Sequence, residues 1–121
     1  MTHLDGYDNY DPELLPPVVV RYLEQHSDPS ERQAVSGLFS SDARVVDEGI
    51  EYSGSDAIRG WLGKTASEYT YTATPLGQHS PESDRWVVLV RLEGNFPGGV
   101  VDLRYQAAIR GELITGLVIA P

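Results

Sequence analysis

The sequence predicts an α+β domain in which a curved antiparallel sheet packs one face against three N-terminal helices. Three observations carry that prediction. Apolar residues recur at helical spacing in two segments before residue 40, a strand, turn, strand and helix follow one another over residues 42–63, and two-residue alternation runs from about residue 67 to the end. At 121 residues the chain fits one domain with one core, because a chain of this length buries roughly two-thirds of its unfolded surface. Residues 1–12 are expected to form a flexible arm and residues 13–121 the domain itself.

The arm carries Gly6, Asn9 and Pro12 among acids and tyrosines, without a period. Pro16 and Pro17 can open a helix but not lie deep in one, so a first helix is predicted from Pro17 to His26, with Val18, Tyr22 and His26 on one face. Asp28-Pro29-Ser30-Glu31 is a start signal for a second helix, whose buried stripe is Ala34, Val35, Leu38 and Phe39. Ala43, Val45 and Asp47 then alternate with Arg44, Val46 and Glu48, so a strand that buries Val45 also points Asp47 inward. Glu48-Gly49 turns the chain into a short strand through Ile50 and Tyr52. A third helix follows, with Ser55 as N-cap, Gly63 as stop and Ile58, Trp61 and Leu62 on its apolar face.

Four strands complete the chain. Tyr69, Tyr71 and Ala73 alternate with threonines in the first, Pro75 and Gly77 disturb its edge, and a turn is expected over residues 81–84. Trp86, Val88, Val90 and Leu92 share one face of the next strand. Val101, Leu103, Tyr105, Ala107 and Ile109 share a face of the third, after the Pro97-Gly98-Gly99 hairpin, and Ile114 to Ala120 form the last. Asp102 and Arg104 fall out of phase with Leu103 and Tyr105 and are read as an exposed or dimer-face pair. Val87 and Leu89 make the far face partly apolar too, which a second copy of the chain in a two-fold homodimer would cover.

Composition narrows the function classes. The net charge of −9 sits in the first half, with twelve acids and three bases in residues 1–56 against six of each in residues 57–121. Nucleic-acid binding needs Lys and Arg to neutralise phosphates, and Lys64 is the single lysine, so no nucleic-acid partner is expected. No apolar run approaches the roughly 20 residues that span a bilayer, and the acidic N-terminus lacks the character of a signal peptide, so no membrane partner and a cytoplasmic location are expected. Cysteine is absent, which removes disulfides, thiol catalysis and thiolate metal sites. No metal, nucleotide or flavin motif is present, and no cofactor is expected. The partner this balance suits is a small hydrophobic or weakly polar ligand.

Asp42-Ala43-Arg44-Val45-Val46-Asp47, then Gly54, Ala57-Ile58 and Trp61-Leu62, with Phe96-Pro97-Gly98-Gly99 and the closing Leu117 and Ile119, resembles the nuclear transport factor 2-like superfamily, particularly its SnoaL-like and ketosteroid-isomerase-like branches. The resemblance covers the chain from about Leu14 and implies a cone-shaped, cystatin-like sheet around a ligand cup. It is specific for the fold and not for one activity, because these domains host isomerases, cyclases, dehydratases, epoxide hydrolases and proteins without catalysis. By resemblance to ketosteroid isomerases, Asp47 stands where the general base would be and Tyr22 where the oxyanion tyrosine would be. The second oxyanion donor falls at Tyr105, a phenol in place of the family's protonated acid. The aspartate that epoxide-hydrolase-like sites want on the last strand is replaced by Leu117 and Ile119, and of the two histidines of scytalone-dehydratase-like sites only His26 has a counterpart.

Each candidate also has a plainer reading. Asp47 is either a base that takes a proton from a carbon beside a carbonyl or an aspartate capping its turn. Tyr22 and Tyr105 are oxyanion donors or core rings. His26 is a pocket acid or base, or a helix-end histidine favoured by the helix dipole. The cup is expected to be lined by His26, Phe39, Trp61, Val88, Val90, Leu103, Leu117 and Ile119. Two functions follow: a cofactor-independent isomerase or lyase shuttling a proton through Asp47, or a non-catalytic ligand-binding or dimerisation module.

Overall fold

The computed structural model describes residues 6–28, 30–68 and 70–121; Pro29, Tyr69 and the first five residues of the expected arm lie outside them. Seven strands form one mixed sheet in the order β1-β4-β5-β6-β7-β2-β3. The strands are β1 (Asp8–Asn9), β2 (Phe39–Asp47), β3 (Ile50–Ser53), β4 (Tyr71–Glu82), β5 (Arg85–Gly94), β6 (Val100–Arg110) and β7 (Leu113–Ala120), with helices α1 (Pro17–Gln25) and α2 (Ser55–Glu68). In the described part of the arm, Asp8 and Asn9 pair with Gln78 and Gly77, and the Gln78 side chain bonds both the N–H and the carbonyl of Asp11.

Two expectations about architecture are corrected. The sheet is not wholly antiparallel: β2 runs parallel to β7, with Val45 opposite Leu117 and Asp47 opposite Ile119. That pairing joins strands about seventy residues apart, and no local alternation encodes its direction. Among the described residues, the three expected helices reduce to two α-helices. The segment after Asp28 forms a 3-10 helix over Arg32–Leu38: Asp28 does cap a first turn, its carboxylate accepting from the N–H and hydroxyl of Ser30 and its carbonyl from the Arg32 N–H at 3.0 Å, but Ser36-Gly37 are poor helix formers. Ala34 is consequently exposed while Val35, Leu38 and Phe39 stay buried.

The segment that positions the site is the β2–β3 hairpin and its helix. Glu48 and Gly49 have φ of 53° and 76°, the left-handed pair of a two-residue hairpin turn whose twist matches its strands. Gly54, at φ 86°, takes the N-cap position expected for Ser55, its carbonyl accepting from the Ile58 N–H at 3.0 Å. Helix α2 passes through Gly63, which does not adopt the left-handed conformation a stop requires, and the following strand starts at Tyr71.

The inner face of the sheet packs against both helices and the 3-10 turn. Val18, Val19, Tyr22, Leu23, Val35, Ile58 and Leu62 meet Val45, Val88, Val90, Ile114 and Leu117 in one core. Register shifts at Pro75/Gly77 in β4 and at Ala108/Ile109 in β6 bend the sheet around them. No described helix is long and apolar enough to cross a membrane.

Gly94 ends β5 opposite Tyr71, and an added Cβ would come within 2.3 Å of the Thr70 carbonyl oxygen and 2.7 Å of the Tyr71 Cβ. Since the obstacle is backbone, Gly94→Ala is expected to cost about 1–3 kcal/mol through overpacking. Thermal unfolding should show a Tm lowered by about 5 °C or more. An unchanged Tm would mean that the β4–β5 end is looser than its contacts imply.

Candidate functional site

The sheet is filled at one end and hollow at the other. A cavity of about 630 Å³ opens at the end of the strands nearest the Phe96-Pro97 hairpin. Leu92, Leu103 and Ile119 line it, while Val88, Val90 and Leu117, further along the same strands, lie in the core beneath the helices. Phe39 is likewise core, its ring edge-on to Tyr22. The expected placement of Phe39, Val88, Val90 and Leu117 on the cup wall is therefore corrected: alternation chose the right face, but face alone does not say which end of a strand the helices cover. Of the expected lining, His26, Trp61, Leu103 and Ile119 are on the wall, together with Asp47, Tyr22 and Tyr105.

Asp47 ends β2 immediately before the tight turn, half-buried on the wall. The buried Trp61 indole N–H donates to its Oδ2 at 3.0 Å. One carboxylate oxygen is thus held by the indole. Tyr52 stands beside Trp61, ring centroids 6.1 Å apart, so the carboxylate emerges from an aromatic wall.

Tyr22, on α1, and Tyr105, on β6, are both buried, with ring centroids 5.9 Å apart. Both phenols are raised well above the ordinary tyrosine range, by burial first and then by neighbouring tyrosines and the Asp47 carboxylate, with Arg32 opposing. Each is a neutral O–H group at ordinary pH, able to donate a hydrogen bond into the cavity.

His26 stacks on Tyr22 at 4.9 Å and is 3 % exposed. Its Nδ1 lies 2.9 Å from the Tyr71 hydroxyl, which donates its own proton to the His26 carbonyl at 3.0 Å. Tyr71 has one proton to give, so Nδ1 carries the N–H and Nε2 is the lone-pair nitrogen. Burial, and then the Arg32 charge, push His26 down to about 3, so it is neutral and serves neither as an acid near neutral pH nor as a cation for the helix dipole.

Arg32 and Tyr71 were not singled out from sequence. Arg32 is 1 % exposed, donates from Nε to the His26 carbonyl at 2.6 Å and lies over the Tyr71 ring at 4.9 Å, and both residues line the cavity. A signal existed: Arg32 falls in phase with Val35 and Phe39, and a charge on a buried stripe calls for a specific partner. Asp102 and Arg104, read as an exposed or dimer-face pair, are both exposed; Asp102 bonds Arg91 on the neighbouring strand at 2.8 Å, and Arg104 reaches the Pro121 carbonyl.

Such a fold, with a half-covered sheet and an apolar chamber bearing one oriented carboxylate and two protonated phenols, defines a small-molecule-binding α+β cup. Among solved structures, a Sinorhizobium meliloti protein described as a candidate polyketide cyclase is 32% identical over 92% of this chain and 100% of its own, with a TM-score of 0.83. A Catenulispora acidiphila protein of ketosteroid isomerase-like fold, solved with trimethylamine, is 21% identical over 88% of this chain and 85% of its own, at TM-score 0.76. A Mycobacterium tuberculosis protein solved with estradiol-17β-hemisuccinate is 16% identical over 88% of this chain and 92% of its own, at TM-score 0.69. No protein-family model and no curated protein matches the sequence. The chain belongs to the nuclear transport factor 2-like superfamily, with the SnoaL-like and ketosteroid-isomerase-like proteins.

The neutral His26 generates a pH prediction. The unfolded chain binds a proton at this position below about pH 6.5, whereas the folded chain resists until about pH 3. Stability therefore declines as pH falls through that window, by roughly 1.4 kcal/mol per pH unit from this group alone. Urea unfolding from about pH 7 down to about pH 5 should show a steeper loss in the wild type than in His26→Gln. An imidazole that titrates by NMR near the ordinary histidine value would contradict the buried tautomer.

Proposed function

We propose that the cavity binds a small hydrophobic or weakly polar carbonyl compound, and that the protein is a cofactor-independent isomerase or lyase acting by proton transfer next to that carbonyl. The observation that carries this reading is the Asp47 carboxylate on the wall of an open 630 Å³ chamber, with one oxygen held by Trp61 and the phenols of Tyr22 and Tyr105 on the same wall. The volume falls in the range of ordinary small-molecule sites, roughly 300–1,000 Å³. In the proposed reaction Asp47 takes a proton from the carbon beside the carbonyl. The C–H electron pair becomes a carbon–carbon π bond while the carbonyl π pair moves to the oxygen, which accepts hydrogen bonds from Tyr22 and Tyr105, and the protonated Asp47 returns the proton to another position. The cyclase description of the Sinorhizobium relative and the steroid ester bound by the mycobacterial protein support a ligand of this chemical kind.

The outer face of the sheet supports a second part of the reading. Val46, Val87, Leu89 and Val118 fall on it, and Val118 is 38% exposed. We propose that a second copy of the chain covers this face in a homodimer. Light scattering coupled to gel filtration should give a dimer that Val118→Glu converts to monomer; a wild-type monomer sinks this part.

For the chemistry, an isomerisation assay with enone steroids and smaller ketones is the test. Asp47→Asn should lower kcat by about 10²–10⁴ with little change in Tm, and Tyr22→Phe should lose about 10²–10³, the cost of one oxyanion donor. Equal turnover in Asp47→Asn removes the carboxylate from the mechanism. Ligand binding without turnover in the wild type leaves a non-catalytic binding module.

A further inference from the structure

The buried end of the cavity holds a positive charge that proton transfer through Asp47 does not by itself use. Arg32 is among the residues that line the cavity yet is 1 % exposed, so its charge is held behind the chamber's surface and away from bulk water. Its position is fixed by contacts that include Nε on the His26 carbonyl at 2.6 Å and the Tyr71 ring 4.9 Å from its central carbon. The same carbonyl accepts from the Tyr71 hydroxyl, which ties cation, ring and helix end together. A guanidinium does not give up its proton on burial as an ammonium does, so the charge persists in the low-dielectric interior.

Two further facts bear on what this charge meets. Arg32 acts on each of Tyr22, Tyr71 and Tyr105 in the direction that favours negative charge, against the burial that disfavours it. His26, the other basic group at this end, is neutral and adds no positive charge of its own. Two phenols alone would offer a developing oxyanion hydrogen bonds but no counter-charge.

We infer that Arg32 is the fixed counter-charge for an anionic oxygen on the bound ligand, so that this site selects compounds able to carry a localised negative oxygen beside Tyr22 and Tyr105. In turnover that species is the enolate formed when Asp47 removes a proton; a phenolate is its stable mimic. The inference rests on the cavity being the ligand site proposed above. Asp47, whose charge opposes an anion, sits on the same wall and keeps selection for a ligand that arrives neutral and becomes negative only at the oxygen.

The experiment uses 4-nitrophenol, whose ionised form has its own visible absorbance, and 4-nitroanisole as a neutral control of similar shape. Bound to the wild type, 4-nitrophenol should ionise at least about one pH unit below its free value, the size of effect a nearby opposite charge produces. Arg32→Met should abolish that shift and Arg32→Lys should restore part of it, whereas 4-nitroanisole should bind wild type and Arg32→Met alike. A wild-type complex that holds the phenol neutral overturns the inference without any variant, which covers the case in which Arg32→Met fails to fold. Equal phenolate preference in wild type and Arg32→Met overturns it as well. Binding of 4-nitroanisole but not of the phenolate rejects the role of Arg32 and leaves the cavity reading standing, while failure of both probes to bind rejects the two together.

Discussion

The site depends on one hydrogen bond, from the Trp61 indole to the Asp47 carboxylate. It joins helix α2 to the last residue of β2 across a span of fourteen positions, and local backbone geometry makes it possible. Glu48 and Gly49 reverse the chain in two residues, the short β3 pairs Tyr52 with Val45, and Gly54 in the left-handed conformation launches α2 back over the sheet. Lengthening that turn or shifting that helix start would carry the indole away from the carboxylate. Burial of Trp61 then makes the bond worth keeping, because an indole N–H removed from water without an acceptor is costly.

The second constraint is the uneven filling of the sheet. Strands β5, β6 and β7 each send apolar residues to the inner face along their whole length, but the helices cover only one end. There Val88, Val90, Ala107 and Leu117 pack to form the core, and at the other end Leu92, Leu103 and Ile119 are left as walls. Core and cavity thus draw on the same strands, and Leu92, Tyr105 and Ile119 belong to both. The polar groups of the hollow end are also sorted: phenols raised by burial remain donors, His26 is kept neutral by burial and then by the Arg32 charge, and among the described residues the wall also carries Asp47, Glu48, Arg32 and Lys64.

Much of this was legible in the chain. Asp47 followed from its phase with Val45, Trp61 from its helical spacing with Ile58 and Leu62, and Tyr22 and His26 from a shared helix face, since each depends on a period set by backbone geometry alone. What escaped depends on contacts between distant segments. The parallel pairing of β2 with β7 arises only when the meander has come round, and the boundary between core and cavity is drawn by helix coverage. Helix propensity misled after Asp28, where the start signal makes its first turn but Ser36 and Gly37, poor helix formers, lie in a segment that stays 3-10 over Arg32–Leu38. Arg32 and Tyr71 were passed over because each looks ordinary in its own segment and acquires meaning only beside the other.

We propose that the carboxylate held by Trp61 removes a proton from a carbon next to a carbonyl. The most direct measurement of that step needs no knowledge of the natural substrate: deuterium incorporation from heavy water into the carbon beside the carbonyl of 1-tetralone, followed by NMR. The wild type is predicted to accelerate that exchange well above the buffer rate, and Asp47→Asn to return it to the buffer rate while still binding the ketone. Exchange by the variant at the wild-type rate, or no acceleration by a wild type that binds the ketone, would contradict the claim.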